Sequence, residues 1–229
     1  MRKKRDKTAE SFAAQLKSDP TYQAKLARQA ETTARIQAAE ATLMKALASK
    51  GYRASSLGEL VRGHTPLSHD LADALVESLG QVSEPGLQEG VLRALGAARA
   101  RFNVGPLIEL FEQTDSTTLR WAIANTLAET RPAERGDWLI RALKDRRYGK
   151  AREMLALAAA RANPPEVVNP ILVRLLDELP GHVALALAET GGLGELDALR
   201  RAYANATGWE REQIGRSVNT IERREAERR

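Results

Sequence analysis

The sequence predicts an all-α protein, specifically an α-solenoid of about five helical hairpins that follow a long N-terminal helix. Two observations predict this class. Aromatic residues make up only 4% of the 229 residues, and no stretch alternates apolar and polar residues over the length of a strand. Similar apolar segments also return about every 32 residues along the chain, and such a period is typical of stacked helical repeats.

Composition and repeat pattern divide the chain into three regions: a basic N-terminal segment with a long helix (1–50), a short capping helix and loop (51–67), and the repeat region (68–229). The long helix is predicted to begin at Asp19-Pro20 and to run to Lys50, with Gly51 as its C-cap. Its larger apolar residues cluster at its two ends. We therefore expect its C-terminal turns to pack on the first repeat and the remainder to stay partly exposed.

The first helix of each repeat carries a recognisable apolar segment. The five copies are ALVESL (74–79), PLIELF (106–111), WLIRAL (138–143), ILVRLL (171–176) and the weaker ALRRAY (198–203). They follow one another at intervals of 32, 32, 33 and 27 residues. The regular spacing predicts that Leu75, Leu107 and Leu139 occupy equivalent positions in a continuous core.

A second helix follows each copy in a similar register. Val91, Ile123 and Leu155 are spaced by 32 residues, and residues 183–189 and 214–221 fill the same role in the last two copies. A helical hairpin of this size has an apolar face that it cannot bury alone, and stacking against the next hairpin covers that face. The two helices per period therefore predict a solenoid.

Local chemistry supplies starts for several of these helices. Asp115 is expected to be the N-cap of a second helix, since Asp is a preferred residue at that position. The stretches 56–59, 163–166 and 207–210 have the pattern of capping boxes, the second of them with proline at the first helical position.

The stretch LQEGVLRALGAARARFNVGPLIELFEQTDSTTLRWAIANTLAET (87–130) resembles the HEAT-repeat family, in particular the short bacterial units called PBS-lyase HEAT-like repeats. In that family a helix rich in small residues and ending in ALG leads through a short loop into PLIELL, and a turn with Asp follows. The resemblance covers roughly residues 68–222 and implies the solenoid fold. Its implications for function are broad, because scaffolds, transport factors, bilin lyases and some DNA glycosylases use this repeat.

The positive charge of the chain is concentrated at its N-terminus. The formal net charge is +5, to which residues 1–50 contribute +6 (11 basic, 5 acidic) and residues 51–229 contribute −1 (24 basic, 25 acidic). A surface that follows a phosphate backbone needs a continuous excess of cations, so nucleic-acid binding is expected to be weak. We expect no membrane interaction, because the chain lacks both a signal-peptide pattern and a long apolar run. The absence of cysteine fits a cytoplasmic location.

Trp121 is the most prominent candidate for partner binding. The equivalent positions in the neighbouring repeats are Glu89 and Glu153, so this residue is not expected to belong to the ordinary core. The family resemblance places it on the concave surface beside Arg93 and Asn125, where an aromatic residue next to an arginine is typical of an interface hot spot. Alternatively, Trp121 fills a gap between stacked repeats.

The two other tryptophans are expected to have structural roles. Trp138 is expected to be a core residue, because its equivalents are Ala74, Pro106 and Ile171. Trp209 lies in the first turn of the last helix and is expected to make a staple or terminal-cap contact.

A run of cations marks one turn of the repeat region. RALKDRRYGKAR (141–152) contains six basic residues and a single acid, Asp145. Turns of successive repeats line one edge of a solenoid, so Arg146, Arg147 and Lys150 are predicted to form a positive edge that steers association with an acidic peptide or a phosphate backbone. The alternative is an ordinary solvated turn.

No pattern indicates an enzyme, a metal site or a cofactor site. The three histidines, His64, His69 and His182, have no metal-binding spacing. The sequence therefore predicts a non-enzymatic scaffold or adaptor that binds a protein through its concave face and a charged edge. The alternative is a nucleic-acid-binding solenoid related to alkylpurine DNA glycosylases, with Trp121 and either Asp115 or Asp137 in the site. An enzyme subunit of the bilin-lyase type is a third possibility.

Overall fold

The structure is a computed structural model that describes residues 19–62, 67–97 and 101–228. These residues are helical or lie in turns between helices, and none of them forms a strand. The predicted all-α class is therefore confirmed. The chain divides into two compact units, Met1–Ser56 and Leu57–Arg229. Most of the basic run at the N-terminus lies outside the described residues, as does His64.

The first unit contains one long helix, α1 (Pro20–Ser49). It begins where the sequence predicts, because the Asp19 side chain accepts hydrogen bonds from the backbone N–H groups of Thr21 (2.8 Å) and Tyr22 (3.4 Å). It ends one residue earlier than predicted, and Gly51 follows with a φ of 91°, a left-handed conformation that favours glycine. Most of α1 is exposed, and its buried residues lie near its C-terminus.

The second unit is built from eleven α-helices among the described residues: α2 (Leu57–Arg62), α3 (His69–Leu79), α4 (Pro85–Ala97), α5 (Gly105–Gln113), α6 (Thr117–Thr130), α7 (Gly136–Lys144), α8 (Arg152–Ala162), α9 (Pro165–Leu175), α10 (Pro180–Thr190), α11 (Leu196–Asn205) and α12 (Gly208–Glu227). Short 3₁₀ turns precede α7, α8 and α11 at Ala133–Arg135, Arg146–Ala151 and Leu193–Glu195. No described helix of either unit has the length and apolarity required to cross a membrane.

The helices of the second unit pack in an alternating order. The even-numbered helices α2, α4, α6, α8, α10 and α12 each pack against the next one in that series. Each odd-numbered helix from α3 to α11 packs against the even-numbered helix that follows it. A hydrogen bond from a side chain to the backbone joins two of these helices: the Thr126 hydroxyl of α6 donates to the Leu92 carbonyl of α4 at 3.0 Å.

The buried positions follow the interval seen in the sequence. Leu75, Leu107 and Leu139 are fully buried on successive odd-numbered helices, as are Leu172 and Leu199 on the last two. On the even-numbered helices the fully buried residues include Val91, Ile123, Leu155, Val183 and Ile214. Burying such side chains supplies the main favourable free energy of folding, and here successive helices contribute it at similar intervals along the chain.

Three predicted helix starts need correction. The N-cap of α6 is Ser116, whose hydroxyl accepts from the Leu119 N–H at 3.2 Å, and Asp115 lies one residue too early. The 163–166 stretch forms no capping box, because the Asn163 amide donates instead to the Ala159 carbonyl at 2.9 Å. Thr207 is the N-cap of α12, but its side chain makes no capping bond.

Candidate functional site

Trp121 lies on the exposed side of α6. Its side chain remains 39% exposed, whereas Leu119 and Ile123 on either side of it are buried. A helix turns by about 100° per residue, so alternate positions point to different faces. The Glu89 and Glu153 side chains at equivalent positions of α4 and α8 are half-buried. The large indole is therefore accessible from solvent and is not enclosed between helices.

Arg93 and Asn125 occupy the same position of two adjacent helices, α4 and α6. Arg93 is exposed and Asn125 is half-buried. The corresponding residue of α8 is the apolar Leu157, which keeps 9% of its surface exposed. The predicted contact residues thus lie one turn beyond Trp121 and its equivalents. We call this surface of α4, α6, α8 and α10 the even-helix face.

The even-helix face continues towards the C-terminus with a histidine. His182 of α10 has its Nδ1 3.5 Å from a carboxylate oxygen of Glu153 on α8. Its ring lies 5.1 Å from the ring of Trp209, between centroids and at an angle of 47°. Burial lowers the pKa of His182 below its ordinary value, and Glu153 opposes this shift. No sequence pattern associates these residues, because they lie on three different helices.

Trp209 makes an interhelical contact rather than a staple within its own helix. Half of its surface is exposed, and the rest of the ring lies directly over Gly181 on α10. A Cβ atom at residue 181 would collide with the indole carbons. The expected terminal contact is therefore present, and glycine at 181 makes room for it.

The predicted positive edge is the 3₁₀ turn Arg146–Ala151 before α8. Arg146, Arg147 and Lys150 are all exposed. Arg147 already has a local partner, because Asp145 accepts hydrogen bonds from its Nε (3.0 Å) and its terminal nitrogen (2.6 Å). These bonds lower the pKa of Asp145. Arg146 lies 3.5 Å from Glu178, whereas Lys150 has no ion pair within the described parts of the chain.

Arg152 closes the same sequence run but belongs to the interior. Only 1% of its surface is exposed. Its Nε donates to the Leu143 carbonyl at 2.7 Å, and its terminal nitrogens donate to the Glu178 carboxylate. Because Arg152 contributes no exposed charge, the positive edge is smaller than the count of basic residues in the run suggests.

The bond from Arg152 has a counterpart in the preceding pair of helices. Arg120, 32 residues earlier, donates from Nε to the Phe111 carbonyl at 3.0 Å. Both carbonyls lie near the end of an odd-numbered helix, where backbone acceptors lack helical partners. The spacing of Arg120 and Arg152 was visible in the sequence, and comparing polar residues at the repeat interval would have found this recurring interaction.

Trp138 is only half-buried, so the expectation of a core residue is wrong. Its indole N–H donates to Glu112 at 2.7 Å, and its ring packs edge-on against Phe111 with centroids 5.5 Å apart. Tyr148 also packs against Phe111, with the centroids of the two rings 4.8 Å apart. Tryptophan at the edge of a core commonly keeps its N–H in reach of an acceptor, which explains its position.

A ladder of charges connects the C-terminal ends of three even-numbered helices. Arg161 of α8 donates to Glu129 of α6 at 2.9 Å and to Glu189 of α10 at 2.6 Å. It also donates to the Ala128 carbonyl at 3.1 Å. These bonds raise the pKa of Arg161, which stays charged. The three ladder residues occupy the same repeat position, so this cation is committed to joining helices.

The remaining candidate residues are His69, Asp115 and Asp137. Within the described residues, no group of three His, Cys, Asp or Glu side chains could hold a metal ion. His69 lies 3.3 Å from Asp73 and has its Nδ1 2.6 Å from the Arg101 carbonyl. Asp115 and Asp137, considered for a glycosylase-like site, are exposed at the starts of α6 and α7.

Comparison with known proteins yields no relative: no protein-family model matches the chain, and no curated protein or solved structure is significantly similar to it. The resemblance of residues 87–130 to HEAT-like repeats therefore stays a prediction from the sequence.

Proposed function

We propose that residues 57–228 form an α-solenoid of HEAT-like hairpins that serves as a non-enzymatic scaffold for a protein partner. The alternating packing of odd- and even-numbered helices supports this architecture, because stacked hairpins bury each other in that order. Two surfaces are available for binding. They are the even-helix face around Trp121 and the positive edge at the turn before α8.

The exposure of Trp121 is the observation that carries this proposal. A tryptophan loses favourable free energy when its apolar surface faces water, and binding residues are enriched in this residue type. The surrounding helices are joined by buried side chains and by the ladder at Arg161, so the surface is ordered before binding. Pre-ordered side chains lose little conformational entropy on association.

The test compares two exposed aromatic residues. Trp121→Ala should weaken retention of partners from lysate of the native host while changing the free energy of unfolding by no more than about 1 kcal/mol. Tyr203→Ala is the matched control, because Tyr203 is 38% exposed on α11 and Trp121 is 39% exposed on α6. The Tyr203 variant should retain the same partners as the unchanged protein.

Partner retention is measured by affinity purification and mass spectrometry, and stability by urea unfolding. If the Trp121 variant retains every partner that the Tyr203 variant retains, the even-helix face is not the binding surface. A large loss of stability in the Trp121 variant would show that the indole supports the fold instead.

A further inference from the structure

A cleft opens beside the positive edge, where α5, α7 and the 3₁₀ turn before α8 meet. Its lining includes Glu112 from α5, Trp138, Arg141 and Asp145 from the α7 region, and Tyr148 from the turn. The cleft therefore has an aromatic wall and charged groups of both signs. What it can bind depends on which of these groups already have partners.

The aromatic wall is fixed by packing. Trp138 and Tyr148 both pack edge-on against the buried ring of Phe111. The guanidinium of Arg120 lies 5.4 Å from the centroid of the Tyr148 ring, a cation–π geometry. Because these rings are held from behind, the wall needs no rearrangement to receive an apolar group.

The acids of the cleft are occupied by donors of the cleft itself. Glu112 accepts the Trp138 indole N–H, and Asp145 accepts the Arg147 guanidinium in a bidentate arrangement. Unlike these two acids, the cation Arg141 is exposed and has no hydrogen bond or ion pair with any residue in the described ranges. Glu112, Asp145, Arg141 and Arg147 thus give the cleft formal charges of both signs, and Arg141 is the one of these four whose polar atoms have no partner among the described residues.

We propose that this cleft binds an acidic side chain of a protein partner, with Arg141 donating to its carboxylate and the Trp138 and Tyr148 rings covering an adjacent apolar residue. The inference rests on the proposed scaffold function and specifies the chemistry of the partner at the positive edge. Arginine and carboxylate match each other in a planar, bidentate geometry. Lys144 and Lys150, both exposed and unpaired within the described residues, add long-range attraction for an acidic segment.

An isolated carboxylate fits this environment better than a phosphate backbone does. Glu112 and Asp145 line the cleft, and Glu178 lies beside Arg146. A continuous polyanion would have to pass these carboxylates, whereas a peptide can place one acid at Arg141 and neutral residues elsewhere. Residues 51–229 also have a net charge of −1 (24 basic, 25 acidic), which opposes polyanion binding.

The experiment uses three fluorescent probes with the full chain: a short peptide of alternating glutamate and leucine, its lysine–leucine counterpart, and a thymidine oligonucleotide. Anisotropy should show binding of the glutamate peptide alone. Arg141→Gln should weaken it about tenfold, the usual consequence of losing a charge-assisted hydrogen bond. Arg201→Gln, which removes the same charge from an exposed site on α11, should change the affinity by less than about twofold.

The site is located by the indole N–H resonance of Trp138 in an NMR titration, assigned with Trp138→Phe. This resonance should shift on addition of the glutamate peptide, and those of Trp121 and Trp209 should not. Equal losses of affinity in the two arginine variants, or an unmoved Trp138 resonance, would overturn the proposal. If the oligonucleotide bound in preference to both peptides, the inferred ligand of the cleft would be a nucleic acid and not an acidic peptide. None of these outcomes affects the Trp121 test, so the two proposals fail separately.

Discussion

The two sides of the turn between α7 and α8 use arginine in opposite ways. On the α8 side, Arg152 is buried and donates to the Leu143 carbonyl and to Glu178. On the α7 side, Arg141 is exposed and has no partner among the described residues. They stand at the two ends of the run 141–152, in which the sequence alone does not distinguish one basic residue from another.

The difference follows from the cost of burying a charge. A guanidinium removed from water must recover its hydration through hydrogen bonds, so Arg152 is held by a carbonyl and a carboxylate. Arg141 keeps its hydration and needs no internal partner, which leaves its donors available for a ligand. The paired arginine therefore contributes to stability, and the unpaired arginine is the one suited to binding.

The largest expected effect is on stability. Arg152→Ala should reduce the free energy of unfolding by about 2–4 kcal/mol, because the Leu143 carbonyl loses its donor and the packed side chain leaves a void. This loss of stability should be smaller than the loss for a wholly buried ion pair, because the Glu178 side chain is partly exposed. Urea unfolding followed by circular dichroism measures the change.

Arg141→Ala is the control for this variant, because it removes the same functional group from the other side of the turn. Its free energy of unfolding should stay within about 0.5 kcal/mol of the unchanged protein. Comparable losses in the two variants would contradict the distinction between a structural and a free arginine.

This distinction could not be predicted from the sequence. Core positions such as Leu107 and Leu139 were predictable, because helical period and repeat spacing are local properties of the chain. The role of Arg152 depends on Glu178, which lies 26 residues further along the chain after α9. Contacts of this kind are fixed by how one hairpin packs on the next, and composition alone does not reveal them.

The candidate site shows the same limit. The glutamates at equivalent positions argued against an ordinary core position for Trp121 but left open that it fills a gap between repeats, and the structure shows it 39% exposed. The assignment of Trp138 to the core failed, because its equivalents are apolar residues without a side-chain donor, whereas the Trp138 indole N–H donates to Glu112. Repeat register predicts the face on which a residue lies, but the size and polarity of the side chain decide how far it is buried.

The second prediction concerns the other end of α8. Arg161→Ala should reduce the free energy of unfolding by about 1–2 kcal/mol, since it removes the cation that bonds to both Glu129 and Glu189 and leaves these two carboxylates near each other without it. The effect should be smaller than for Arg152, because the Arg161 side chain is 16% exposed whereas the Arg152 side chain is only 2% exposed. Salt screens ion pairs, so at high salt the variant and the unchanged protein should differ less in their free energy of unfolding by urea.

Arg200→Ala provides the comparison for Arg161. Arg200 pairs with Glu222 at 2.6 Å, but its side chain is 55% exposed. Its loss should change the free energy of unfolding by less than about 0.5 kcal/mol. If the two variants were equally stable, the ladder at Arg161 would be no more than a surface contact.

The third prediction tests the corresponding bond in the preceding pair of helices. Arg120→Ala should cost about 1 kcal/mol, because it removes the donor to the Phe111 carbonyl and the cation over the Tyr148 ring. Arg120 is only half-buried, so water can replace part of what is lost. The order Arg152, Arg120, Arg141 should thus describe decreasing loss of stability in urea unfolding, and any other order would show that burial does not determine the role.

The smallest effect should come from converting a paired arginine into a free one. Asp145→Asn removes the carboxylate that holds Arg147, so the glutamate–leucine peptide should bind about two- to threefold more tightly through the released guanidinium. Anisotropy measures this gain, and Asp197→Asn, which removes an equal charge from α11, should not produce it. An Asn variant that bound the peptide no better than the unchanged protein would mean that Arg147 cannot reach the cleft's ligand, and that Arg141 alone supplies the available charge.

The contact between Asp145 and Arg147 also makes stability depend on pH. Arg147 lowers the pKa of Asp145, so the stability that this contact contributes is present above the ordinary value of 3.8 and is lost as the pH falls through the lower folded value.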